Sequence, residues 1–375
     1  MDLHALAPLY RLTGPVVTWY LPVEPAEDTA AQREITWKNG LRELRDRQVD
    51  EATVAALAAV EAGSGGGAGT RVIVAADGAV QLDEHLPPPP ISGELTVGSL
   101  PRLLPAISWL GSRRPHVVVL TDREGADVIA YPATGGEPVY EVSAQTAEWP
   151  VHKTGIGGWA AKRFDATVEE SWERSAERVA TLIDDVARKA DPALVVGSGD
   201  ERAITLLQDH LPAGTKQRFV VVPGGGRHRD GGGDEVARQV SAAVAAKAAA
   251  EEVDVLGRFG AARGRGEGAV EGVAQVVRAL QQAQVATLLV SPGWHGWDRR
   301  LAFGPDPAQV AVEPSDLEGL GVDSPASGPL VDVAIRAALG TDADVIVVSA
   351  DADNAPKDGL GALLRFDSRP VRPGH

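Results

Sequence analysis

The chain has 375 residues, of which 44% are hydrophobic and 23% are charged, and its formal net charge is −16 at pH 7. This length exceeds what one hydrophobic core usually organises, and it predicts two or three domains. The negative charge argues against DNA or non-specific RNA as a partner, because phosphate contacts need clustered Lys and Arg. Any contact with RNA must therefore be local.

The chain contains no cysteine, which excludes disulfides, thiolate zinc sites, iron–sulfur clusters and cysteine nucleophiles. No apolar run approaches the roughly 20 residues that span a bilayer, and Met1-Asp2-Leu3-His4 does not begin a signal peptide. We therefore expect a cytoplasmic protein with no membrane partner. The scattered histidines lack the spacing of a helical zinc site, so we expect no metal and no cofactor.

The N-terminal part, residues 1–114, predicts an α+β domain. Asp77-Gly78 predicts a two-residue hairpin turn, because both residues can take positive φ. The domain boundary is predicted near Arg113-Arg114-Pro115, where a new apolar strand starts. The predicted elements are a strand over 16–21, helices over about 28–47 and 50–63, and hairpin strands over 71–76 and 80–82.

The middle part, residues 115–256, predicts an α/β domain. Thr167 and Glu170 have the spacing of a capping box and predict the start of a long helix that ends at Asp191-Pro192. The βαβ order that follows implies parallel strands with a right-handed crossover. The predicted strands cover 116–121, 126–131, 193–196 and 218–222, and further helices cover about 201–211 and 234–256.

The C-terminal part, residues 257–375, predicts a compact α/β/α sandwich, because strands and helices alternate. The fold class is therefore α/β with an α+β N-terminal part, in three domains. The predicted elements are helices over about 268–283 and 330–339 and strands over 287–290, 345–349 and 362–366.

Two glycine patterns resemble catalytic or nucleotide-binding motifs but lack key residues. A nucleophile elbow needs glycine where Val196 stands before Ser198, so we predict a structural strand-to-helix turn there. Gly264, Gly266 and Gly268 lack both a preceding strand and the Gly-Lys-Ser/Thr ending of a phosphate loop.

Two further segments leave a choice open. The three arginines within 258–265 indicate either a solvated linker or an RNA contact. His295, between Trp294 and Trp297, belongs either to a ligand-stacking loop or to a loop whose tryptophans cover the edge of a core.

The segment 152–163 combines three features that suit RNA. Its glycines let the backbone approach RNA closely, its tryptophan can stack on a base, and its cations can contact phosphates. The alternative is a plain connection between a strand and a helix, with the tryptophan folded onto the core. The candidate rRNA-binding residues are His152, Lys153, Gly155, Gly157, Gly158, Trp159, Lys162 and Arg163.

The string His152-Lys153-Thr154-Gly155-Ile156-Gly157-Gly158-Trp159, followed by Ala161-Lys162-Arg163-Phe164, resembles the archaeal and eukaryotic release factor and Pelota superfamily. Members carry a basic glycine loop that ends in Gly-Gly-Gln, then an Ala-Arg-Phe-like stretch. The stretch Asp358–Phe366 is similar to the end of the bacterial branch, which includes the ribosome hibernation factor Balon and dormancy-associated actinobacterial proteins. The resemblance covers most of 116–366.

This resemblance implies a role for each part of the chain. The N-terminal domain would reach the decoding centre of the small ribosomal subunit, and the middle domain would enter the peptidyl-transferase region. The C-terminal domain would meet a translational GTPase. In release factors the glutamine helps to place water against the peptidyl-tRNA ester, whereas Trp159 stands in its position here. Tryptophan offers one N–H donor and a stacking face but no amide carbonyl.

The leading hypothesis is a non-catalytic ribosome-binding factor of the hibernation type. It would occupy the A site of idle or stalled 70S ribosomes through rRNA contacts, with elongation factor Tu as the GTPase partner implied by the resemblance. One alternative is a peptidyl-tRNA hydrolase that acts in ribosome rescue. A second is a stress-related adaptor that binds other proteins, which the acidic charge favours.

Overall fold

The computed structural model describes residues 3–12, 14–23, 30–60, 68–122, 125–145, 159–224, 233–297 and 299–366, without the side chains of 4, 5, 145 and 159–172. The chain divides into two compact units. Unit 1 combines residues 1–111 with 251–375, and unit 2 covers residues 112–250. The predicted α/β class, with an α+β N-terminal part, is confirmed. The division into three domains stays a prediction.

The N-terminal part of unit 1 is an antiparallel sheet between helices. A 3-10 helix, His4–Arg11, precedes β1 (Val16–Val23), and the sheet order is β3-β2-β1-β4, with β2 at Gly69–Ala76, β3 at Ala79–Leu86 and β4 at Glu94–Gly98. Helices α1 (Ala30–Asp46) and α2 (Glu51–Ala58) cover one face, and α3 (Leu104–Gly111) packs on the other. The predicted hairpin turn is confirmed, because Asp77 and Gly78 both have positive φ.

Unit 2 is a five-stranded sheet in the order β7-β6-β5-β8-β9. The β5–β8 and β8–β9 pairs are parallel, which confirms the predicted βαβ arrangement. Val117, Val119 and Val195 face helices α4 and α5, while Val118 and Val196 face α7. The elements are β5 (His116–Thr121), β6 (Gly125–Tyr131), β7 (Tyr140–Gln145), α4 (Trp159–Ala190), β8 (Leu194–Gly199), α5 (Glu201–His210), α6 (Ala213–Gln217), β9 (Phe219–Val221) and the first part of α7 (Gly233–Arg265). From residue 251 onward, α7 belongs to unit 1.

The C-terminal part of unit 1 contains a four-stranded sheet in the order β10-β16-β11-β15. Leu288 and Val290 face one helical layer, while Leu289 packs with Leu256 and Phe259 of α7 on the opposite side, so the predicted sandwich is confirmed. Its elements are β10 (Ala269–Glu271), α8 (Val273–Gln281), β11 (Val285–Val290), α10 (Leu330–Gly340), β15 (Asp344–Val347) and β16 (Leu360–Leu364).

Residues 300–329 form a small sheet that the sequence analysis does not predict. Strand β12 (Arg300–Phe303) pairs antiparallel with β13 (Val310–Ala311) and β14 (Ala326–Pro329), and the short helix α9 (Ser315–Glu318) lies between β13 and β14. Its strands are only two to four residues long, which is too short for a clear alternating pattern.

Two predicted helix boundaries between residues 256 and 273 are wrong. Helix α7 continues to Arg265 instead of ending near 256. Its last turns contain three glycines but no proline, and packing of Leu256 and Phe259 on the sheet stabilises them. The next helix begins at Val273 instead of 268, because β10 occupies residues 269–271 and Gly272 turns the chain with a φ of 82°. Pairing with β16 stabilises that short strand.

Candidate functional site

The predicted RNA-binding loop lies between β7 and α4 in unit 2. His152, Lys153, Gly155, Gly157 and Gly158 lie outside the described residues. The described ends of the loop are Gln145, which pairs with Gly125 of β6, and Trp159, the first residue of α4. The structure therefore defines where the loop leaves the sheet and where it enters the helix.

Helix α4 begins about two turns earlier than the capping box predicts. Thr167 and Glu170 lie inside the helix, so the prediction that Thr167 starts it is wrong. Residues 160–164 contain no glycine or proline, and Ala, Lys and Arg are strong helix formers. Trp159, Lys162 and Arg163 therefore belong to the helix and not to the loop.

The start of α4 has an unusual distribution of charge. Its first turn contains no acidic residue, and Lys162 and Arg163 follow at the end of that turn. Cations are unfavourable at a helix N-terminus, because the macrodipole is positive there. Positions 159, 162 and 163 are spaced i, i+3, i+4 and so lie on one side of the helix. A positive helix end with added cations suits a phosphate group.

The strand-to-helix turn after β8 is structural, as the sequence analysis predicts. Gly199 has a φ of 146°, and a Cβ on it would lie 1.8 Å from the carbonyl oxygen of Thr121. The Asp200 carboxylate accepts hydrogen bonds from the backbone N–H groups of Arg202 and Ala203 at the start of α5. Ser198 is fully buried, whereas the nucleophile of an elbow is exposed.

The tryptophans around His295 cover the edge of a core. Trp297 is buried and donates its Nε1–H to the carbonyl oxygen of Ser291 at 3.0 Å. Trp294 packs edge-on against it, with ring centroids 5.1 Å apart. The structural interpretation of this loop therefore accounts for both rings.

The arginines of 258–265 lie on α7, so the linker interpretation is wrong. Arg258 pairs with Asp254 one turn earlier, at 3.3 Å. Arg263 lies over the ring of Phe259 and donates to the carboxylate of Glu271 at 2.9 Å. These two cations have acidic partners, and the RNA-contact interpretation of this segment stays a prediction.

Neither a metal site nor a membrane-spanning helix is found in the described part of the chain. No group of three His, Asp or Glu residues is placed there to hold a metal ion. None of the helices described is long and apolar enough to cross a membrane.

Comparison with known sequences defines the family. The model of the bacterial archaeo-eukaryotic release factor family 2 matches residues 115–265, from β5 to the end of α7. Uncharacterized protein Rv2629 of Mycobacterium tuberculosis H37Rv is 31% identical over 350 residues, which cover 90% of each chain. Uncharacterized protein MT2704 of the CDC 1551 strain gives the same values. The chain belongs to this bacterial release-factor-like family.

Three solved structures are similar to this chain at low sequence identity. Ribosome-bound archaeal Pelota with ABCE1 is 14% identical with a TM-score of 0.43, covering 98% of this chain and 95% of that one. Archaeoglobus fulgidus Pelota is 15% identical with a TM-score of 0.37, covering 98% and 93%. Dom34 of S. cerevisiae, a termination-like factor that interacts with Hbs1, is 11% identical with a TM-score of 0.37, covering 69% and 65%. Because these TM-scores are below 0.5, the family assignment rests on the sequence matches.

The predicted superfamily is therefore confirmed. The match from 115 to 265 includes the whole candidate site, from His152 to Arg163. The roles of the individual residues at that site stay predictions.

Proposed function

We propose that this protein binds ribosomes and occupies the A site of idle or stalled 70S particles. The segment 152–158 and the start of α4 would contact large-subunit rRNA. The observation that carries this proposal is the start of α4 at Trp159, with Lys162 and Arg163 at the positive end of a 32-residue helix. Phosphate groups are the natural ligands of such an end.

Trp159 favours binding without ester cleavage. In the release factors that the chain resembles, glutamine after the two glycines helps to place the attacking water. The indole has one N–H donor and no acceptor comparable to an amide carbonyl, so it cannot reproduce that arrangement. Its ring can instead stack on a base, which is worth about 1–3 kcal/mol in nucleic-acid complexes. We infer a factor of the hibernation type, similar in role to Balon.

The acidic composition supports a single local docking site. A net charge of −16 repels RNA in general, so binding depends on the few places where cations gather. We propose elongation factor Tu as the GTPase partner, in line with the role that the family resemblance implies.

Sedimentation with vacant 70S ribosomes tests the proposal, with and without elongation factor Tu and alongside a peptidyl-tRNA hydrolysis assay. We expect co-sedimentation without ester cleavage. Cleavage would instead favour the rescue hydrolase. A protein that stays in the supernatant under every condition would exclude the ribosomal role and favour the protein-binding adaptor.

A charge variant of α4 locates the contact. The double substitution Lys162→Ala and Arg163→Ala is expected to weaken ribosome binding by about 100-fold or more, because charge-assisted contacts are worth about 1.5–3 kcal/mol each. It should also flatten the dependence of binding on salt, since fewer counterions are released.

The matched control is Arg188→Ala with Lys189→Ala, which removes the same charge from the last turn of the same helix. This control should bind as the parent does. Equal weakening by both pairs would assign the effect to net charge alone and contradict the proposed contact.

A further inference from the structure

Unit 1 contains a cavity of about 670 Å³. This volume lies within the roughly 300–1,000 Å³ that is usual for small-molecule sites. The wall is formed by the 3-10 helix, the residues after β4, the residues after β12, the segment before β14, and α10. None of these residues belongs to the candidate site at 152–163, so the cavity needs a separate explanation.

Arg336 of α10 lines the cavity as a buried cation whose hydrogen-bond partners are neutral. Its side chain is 5% exposed. Its guanidinium donates to the carbonyl oxygens of Gly304 and Pro305, both at 2.8 Å, and of Asp306 at 3.3 Å. Its charge also lies 5.0 Å from the centre of the Phe303 ring.

These contacts hold the guanidinium in place without neutralising it. Burial lowers the pKa of Arg336, and the charge of Asp306, which makes no ion pair with it among the described residues, opposes that shift only in part. A guanidinium has five N–H donors, so two remain after the three hydrogen bonds to described carbonyls. A buried charge is costly unless an opposite charge compensates it. An anion in the cavity would supply that compensation.

A second cation lines the same cavity. Arg11, the last residue of the 3-10 helix, is exposed and makes no hydrogen bond or ion pair with any described residue. Tyr10 also lines the cavity, but its hydroxyl has almost no accessible surface and no hydrogen-bond partner within the described part of the chain, so it is not available to a ligand. No Asp or Glu side chain is among the lining residues described, and much of the rest of the wall is apolar, including Leu12, Leu100, Phe303 and Pro307.

We propose that this cavity binds a small organic anion. A carboxylate or phosphate group is held by Arg11 and Arg336, and an apolar body contacts the side chains of Leu100 and Phe303. Arg336 is fixed in advance by its carbonyl contacts, while Arg11 is free to close on the ligand.

Calorimetric titration of the full chain tests this site with phenyl phosphate, benzoate, benzylamine and inorganic phosphate. We expect saturable one-to-one binding of phenyl phosphate or benzoate. The probe with the higher affinity shows whether the site prefers a phosphate or a carboxylate group. Inorganic phosphate should bind more weakly, because it lacks an apolar body. Benzylamine, a cation with the same ring, should not bind. Binding of benzylamine as strong as that of the anions, or of none of the four, would overturn the proposal.

Surface variants place the ligand in this cavity. Arg11→Ala is expected to lower the affinity for the anion by about tenfold, as the loss of one charge-assisted hydrogen bond predicts. Ser324→Trp, at an exposed position of the wall, should block the site. Arg278→Ala removes an exposed arginine of α8 outside the cavity and should bind as the parent does.

These variants avoid the problem of Arg336, whose replacement also removes the contacts with three backbone carbonyls. If Arg11→Ala and Ser324→Trp both bind the probe with the affinity of the parent, the anion lies elsewhere and the proposal is wrong. No ribosome enters this experiment, so its failure is distinct from failure of the ribosomal role.

Discussion

At the scale of single residues, Trp159 separates this chain from the release factors that it resembles. The structure places Trp159 at the first position of a long helix. Under the proposed function, a stacking residue at this position would bind RNA and would not position water.

Trp159→Ala is expected to weaken ribosome binding by about tenfold, because base stacking on an aromatic side chain contributes roughly 1–3 kcal/mol. Sedimentation against increasing ribosome concentration measures the change. Tyr140→Ala, which removes a partly exposed aromatic ring from β7 of the same unit, should have no effect. Unchanged binding of the Trp159 variant would remove this residue from the contact surface.

Asp332 is a buried acid in unit 1. It is 1% exposed, and its Oδ1 has no hydrogen-bond partner among the described residues. Burial raises the pKa of Asp332 to about 7, opposed by the charge of Arg102 and supported by that of Glu94. The native state therefore favours the protonated carboxyl, and folding stability is greatest at low pH with respect to this group.

As pH rises from about 4 to about 7, this group should reduce the free energy of unfolding by an amount on the order of 4 kcal/mol. Asp332→Asn removes the ionisation, so it should be more stable than the parent at pH 8 and similar to it at pH 4. Urea denaturation at both pH values measures the difference. Asp316→Asn, at an exposed position, should follow the parent. A parent whose stability does not fall over this range would contradict the assignment.

At the scale of elements, the turn between β8 and α5 holds the carboxyl end of β8 against the central strand, β5. Gly199 is required there, because its φ is positive and its Cα lies against the Thr121 backbone. The position allows no side chain without movement of one of the two strands.

Gly199→Ala is expected to destabilise unit 2 by roughly 2–4 kcal/mol, since the added Cβ meets backbone and the conformation is strained. Gly214→Ala is the control, because a Cβ on Gly214 of α6 meets no atom within 4 Å. That substitution should be neutral or stabilise by up to about 1 kcal/mol. Thermal unfolding of both variants tests the difference, and an equal effect would show that Gly199 is not constrained.

At the scale of the whole molecule, the two ends of the sequence share one hydrophobic core. Leu103, which precedes α3, and Leu280 of α8 are both fully buried in the same cluster. Leu207 of α5 belongs to a different cluster, in unit 2. The structure therefore predicts two cooperative units, with residues 1–111 and 251–375 unfolding together.

Three matched Leu→Ala substitutions test this division. Each should cost about 2–5 kcal/mol in the unit that contains it. Urea unfolding is monitored by hydrogen exchange of individual peptides. Leu103→Ala and Leu280→Ala should lower the midpoint of the same transition, while Leu207→Ala should lower the midpoint of the other. Independent transitions for Leu103 and Leu280 would favour separate N-terminal and C-terminal domains.

Local signals in the sequence determined much of the secondary structure. Strong apolar runs predict β1, β5 and β11, and Asp77-Gly78 predicts its hairpin, because turn chemistry depends on adjacent residues. Strands β4 and β7 were missed, since they lie at the edges of their sheets and expose much of their length. Such edge strands lack the apolar pattern of central ones.

The sequence also determined the family, because the glycine-rich basic string and the closing motif are each an uninterrupted stretch that can be recognised without the structure. Only the structure decided where α4 begins, because the capping box at Thr167 and the helix formers of 160–164 are conflicting local signals. It alone brought Arg11 to the same cavity as Arg336 and joined the two chain ends in one core. These contacts join residues far apart along the chain, and neither composition nor spacing carries that information.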